Sequence, residues 1–91
     1  MNNRTRTQLK NISKKMDYIL ADLDELKDCL ESVQEEEQDK YDNMPEQLQD
    51  TPNGCRMYEG IEQLEDLVSR LDSLVSELED VSNDVIAVTE I

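Results

Sequence analysis

The groups able to do chemistry in this chain are thiols and carboxylates, because it contains no histidine. Without imidazole there is no base poised near neutral pH, no histidine-centred triad and no zinc–histidine set. Cys29 and Cys55 stand alone, outside any CxxC, which argues for free thiols in a reducing, intracellular setting. Cys55 is expected in the first turn of a helix, where a thiol meets the positive end of the dipole. Cys29 is expected on a flank of a helical seam, acting as a small apolar residue. The acidic run Glu35-Glu36-Glu37-Gln38-Asp39 lacks the alternating ligands and turning glycine of an EF-hand loop, so no metal is assigned. No Gly-rich phosphate loop is present either. These residues predict a protein that is not an enzyme and carries no cofactor.

What must position these groups is read from the apolar spacing. Leu9, Ile12, Met16, Ile19, Leu23, Leu26, Leu30 and Val33 alternate at three and four residues. With Leu9 at position a of a heptad, every a and d position from 9 to 33 is apolar, which predicts a helix over about 6–40 with a coiled-coil-type seam. Glu37 and Lys40 then occupy a and d, so the seam loses its dry character there.

Residues 42–54 read as a structured connection holding both prolines and one of the two glycines. Asn43 is placed to cap a short turn, with Pro45 in its first turn and Glu46 in the capping-box position. Met44 and Leu48 are candidates to fold back as a plug over the end of the helices. Thr51-Pro52 opens the next helix, expected over about 55–88.

That second helix resumes the heptad with Met57, Ile61, Leu64, Val68, Leu71, Val75, Leu78 and Val85, interrupted by Ser82. Leu67, Leu74, Val81 and Val88 add a third apolar column at g. The first helix thus has a narrow stripe, which one neighbour satisfies, and the second a wide one that asks for two. An all-α antiparallel helical hairpin is predicted, one unit over 1–91, assembling into a helical bundle. Two helices bury little apolar surface, so a chain of 91 residues built this way is expected to recruit a partner or a second copy.

The net charge of −14 disfavours nucleic acid and anionic membranes as direct ligands and favours a partner with a basic surface. Five of the nine basic residues (Arg4, Arg6, Lys10, Lys14 and Lys15) lie before residue 16, where there is no acid. Cations at a helix N-terminus oppose the macrodipole. An antiparallel hairpin would bring Glu77, Glu79, Asp80 and Asp84 beside Lys10, Lys14 and Lys15, so internal pairing is expected. No apolar run approaches a membrane span, and a cytoplasmic setting is the expectation.

The segment Asp39–Asp50 resembles a family of small, uncharacterised acidic helical proteins of bacteriophages and prophages, with a D-N-x-P-E-x-L-Q-like centre before a Leu/Glu/Asp-rich helix. Asp42, Asn43, Pro45, Glu46, Leu48 and Gln49 carry the likeness, followed by Ile61, Leu64 and Leu67. It spans about residues 22–80 and leaves out the basic start. The resemblance implies a phage or prophage source, hence host cytoplasm, and a helical fold, but no activity.

The functional expectation is a stoichiometric protein-binding module, an inhibitor or accessory factor of a host or phage protein. Its candidate contact residues are Leu67, Leu74, Val81 and Val88 on the helix and Asp42, Asn43, Met44, Pro45, Glu46 and Leu48 in the connection. The partners expected are a second copy and another protein. A rival reading is a nucleic-acid mimic, with rows Asp24, Asp28, Glu31, Glu35 and Glu59, Glu62, Asp66 standing in for phosphates. A third is sequestration of a small anionic ligand by the basic ends of an oligomer.

Overall fold

The computed structural model describes residues 1–91 and consists of helices and tight turns. Helix α1 runs Asn3–Asp42, a single turn α2 covers Glu46–Gln49, and α3 runs Pro52–Val88. The two long helices fold back on each other as an antiparallel hairpin, a rod 69 × 15 × 13 Å. Both long helices extend a few residues beyond the apolar periodicity because local caps hold their starts. The Asn2 side chain accepts from the Thr5 N–H at 2.9 Å, and the Thr51 hydroxyl accepts from the Gly54 N–H at 3.2 Å, with Pro52 in the first turn.

The register is fixed by pairs well separated along the chain. Ser13 and Ser82 share a hydrogen bond at 3.5 Å, Lys27 donates to Asp72 at 3.1 Å, and the Tyr41 and Tyr58 rings lie 5.6 Å apart. On α3 the seam follows the expected a and d columns: Ile61, Val75 and Ser82 are buried, and Leu64, Val68, Leu71, Leu78 and Val85 half-buried.

On α1 the seam differs from the heptad reading by one column. Leu9, Met16, Leu23 and Leu30 face α3, but their companions are Arg6, Ser13, Leu20, Lys27, Gln34 and Tyr41. Ile12, Ile19, Leu26 and Val33, expected inside, are 48%, 51%, 55% and 46% exposed. The helix is turned about its axis so that its strongest stripe meets α3 along one edge and solvent along the other. This rotation brings Ser13 onto Ser82, Lys27 beside Asp72 and Tyr41 onto Tyr58. The narrow stripe of α1 is therefore not satisfied by its one neighbour.

The closed end is locked by backbone rather than by a hydrophobic plug. Asn43 caps the C-terminus of α1, its N–H reaching the Asp39 and Tyr41 carbonyls, instead of opening the next turn. Pro45 takes that N-cap position. The Gln49 amide donates to the carbonyls of Tyr41 and Met44 at 2.9 and 3.1 Å. Met44 is half-buried, whereas Leu48 stays 51% exposed and plugs nothing. Buried Gly54 lets α3 start beneath this turn: a Cβ there would collide with the carbonyls of Leu48 and Gln49.

At the open end, Arg6 Nε donates to the Thr89 carbonyl at 3.1 Å, a cation at the negative end of α3. The ion pairs are Lys27–Asp72, Lys40–Glu37 and Arg70–Asp66. Lys10, Lys14 and Lys15 thus do not pair with Glu77, Glu79, Asp80 or Asp84. They point away from the seam and are exposed, because the α1 positions that look toward α3 there are Arg6, Leu9 and Ser13.

Candidate functional site

The two long sides of the rod differ in chemistry. On one side, Leu67, Leu74, Val81 and Val88 of α3 are 43%, 53%, 50% and 38% exposed. Leu67, Leu74 and Val81 border two grooves floored by α1. One, of about 310 Å³, lies between Leu23 and Leu74, Glu77, Leu78 and Val81. The other, of about 210 Å³, lies between Leu30 and Leu67, Arg70, Leu71 and Leu74. The exposed α1 column Ile12, Ile19, Leu26, Val33 sits three residues beyond Leu9, Met16, Leu23 and Leu30, on the flank away from Ser13 and Lys27. At helical spacing it therefore lies on the same side of the rod as the α3 column, beyond the Leu23 and Leu30 that floor the grooves. Eight aliphatic side chains in two columns form one long apolar face. Of these, the α3 column was legible as a candidate contact surface. The α1 column was assigned to the hairpin seam, and its exposure follows from the rotation of α1.

The opposite side is polar and more tightly closed. The buried residues Gly54, Ile61, Val75, Ser82 and Thr89 of the α3 segment share one heptad column there, facing Ser13 of α1. Lys27 and Arg6 are the cations of this side's α1 column, Lys27 near its middle. The hydrogen bond of Lys27 to Asp72, then the Asp72 charge, and more weakly Glu31 and Asp24, raise its pKa above the ordinary 10.5 against a smaller desolvation effect. Near the closed end, hydrogen bonding to Glu62 and the charge of that carboxylate push the Tyr58 phenol above 10.0.

The connection residues carry their own hydrogen bonds. Asp42 accepts from the Gln38 amide at 2.9 Å, the Met44 N–H reaches Tyr41, and the Leu48 N–H reaches the Pro45 carbonyl at 2.8 Å. Asp42, Asn43, Pro45, Glu46 and Leu48 remain exposed at the tip, with Asp42 about 14 Å beyond Val33 at 1.5 Å per helical residue. The connection thus lies past the end of the apolar face. A hollow lined by Glu59, Glu62, Gln63, Asp66, Leu67 and Arg70 lies along α3 alone, a gap between neighbouring side chains of one helix. No three acids or thiols converge on one point, and Glu35–Asp39 fan out around α1. Cys29 and Cys55 are both free and exposed. Cys29 lies on the outer flank of α1 rather than beside the seam, again through the rotation of α1. Comparison of the chain with known protein families, curated proteins and solved structures finds no match.

Proposed function

We propose that this protein acts by stoichiometric binding, with the two-column apolar face as its association surface and the acidic remainder steering it toward basic protein surfaces. One observation carries the reading: eight large aliphatic residues share one side of the hairpin at 38–55% exposure. Such a contiguous patch is a common mark of an interaction surface, whereas scattered exposed leucines are ordinary. The acids raise the encounter rate and keep the chain dispersed, while the aliphatic anchors supply most of the affinity. In this role the protein is an inhibitor or accessory factor of another protein in the cytoplasm. The likeness of the Asp42–Gln49 segment to phage and prophage proteins supports a phage setting.

The nucleic-acid mimic is favoured by the opposite side, where Asp24, Glu31 and Asp72 surround a single lysine. Capture of partners from bacterial lysate on the immobilised protein separates the two readings. The binding-module reading expects capture to be lost in Leu74→Glu and unaffected by excess DNA. It also expects capture to survive joint replacement of Asp24, Asp28, Glu31 and Glu35 by Asn or Gln. Capture that DNA competes away, and that the fourfold neutral variant abolishes with helicity intact, would overturn it in favour of the mimic.

A further inference from the structure

We propose that the occupant of the apolar face is a second copy of the chain, the two hairpins together completing a four-helix bundle. The inference rests on the apolar face being a binding surface and adds what covers it.

The area calls for such a partner. The hairpin exposes 6871 Å², against roughly 5,500 Å² for a compact chain of 10.6 kDa. The excess of about 1,400 Å² is more than the ~800 Å² per partner of a standard stable interface. The buried hydrophobic core of the hairpin is Ile61 and Val75 alone. In a four-helix bundle each helix aims its stripe at the common axis rather than at one neighbour. Both long helices here do so, since their exposed columns flank the same side.

Light scattering on the full chain gives the stoichiometry. The expected results are a dimer and its conversion to monomer by Leu26→Glu and by Leu74→Glu, one from each apolar column, with helicity retained. A dimer that both variants leave intact overturns the assignment of the face. A wild-type monomer at about 100 µM overturns the self-association itself. If lysate capture still depends on Leu74 in that case, the binding-module reading stands without it.

Discussion

On α1 the two long sides of the rod invert the usual relation between polarity and burial, whereas α3 keeps it by burying Ile61 and Val75. The side carrying Ser13, Lys27 and Gln34 is the closed one, where the most buried residues sit. The side carrying Ile12, Ile19, Leu26, Val33 and the Leu67–Val88 column stays open. An isolated two-helix protein under selection for its own stability would face the other way, since burying a large aliphatic side chain contributes about 1.5–3 kcal/mol. The difference teaches that the hairpin leaves a second apolar surface unused, the surface on which the proposed association rests. Its internal seam sets register and rotation, and its outward face holds most of the unused hydrophobic free energy.

The sharpest way to break this comparison is to truncate one residue from each side. Ile61→Ala removes a fully packed side chain and should cost about 2–4 kcal/mol in chemical denaturation at any protein concentration. If the proposed self-association holds, Leu67→Ala should cost nearly as much when the protein is concentrated and much less when it is dilute, because its partners would lie in the second copy. Equal, concentration-independent losses would mean that both sides are packed within one chain.

A smaller effect tests the polar layer. The Ser13 and Ser82 hydroxyls satisfy each other in a buried position, and no buried side-chain polar atom lacks a partner. Ser13→Ala alone should cost about 1 kcal/mol, and the paired Ser13→Ala, Ser82→Ala variant no more than that. A double-mutant cycle by thermal denaturation reads the coupling, and strictly additive losses would show that the two hydroxyls do not interact.

The smallest effect belongs to Lys27. Its pKa is raised in the folded chain, so its contribution is complete below about 10.5 and fades as pH rises through the higher folded value. Because Asp72 is largely exposed, Lys27→Met should move the melting temperature at neutral pH by no more than about 2 °C. Melting curves between pH 9 and about 12 should show the wild type losing stability that the variant does not lose. Identical pH profiles would remove the Lys27–Asp72 pair from the register argument.

The sequence by itself determined the helices, their hairpin arrangement and the seam of α3. Heptad spacing, the Thr51-Pro52 start and the two prolines in the connection are local signals that act whatever the rest of the chain does. It also marked Leu67, Leu74, Val81 and Val88 as surplus apolar surface, because a third column exceeds what one neighbour can cover. The rotation of α1 was decided by tertiary structure. Eight consecutive apolar a and d positions give the width of a stripe but not which of its edges meets α3. That choice came from contacts far apart in sequence, Ser13 with Ser82 and Tyr41 with Tyr58, and the exposed Lys27–Asp72 pair follows from it. The same is true of the basic N-terminal segment. Charge predicted that Lys10, Lys14 and Lys15 would find acids on α3, yet weakly held exposed pairs do not set helix rotation, and packing left these lysines facing solvent.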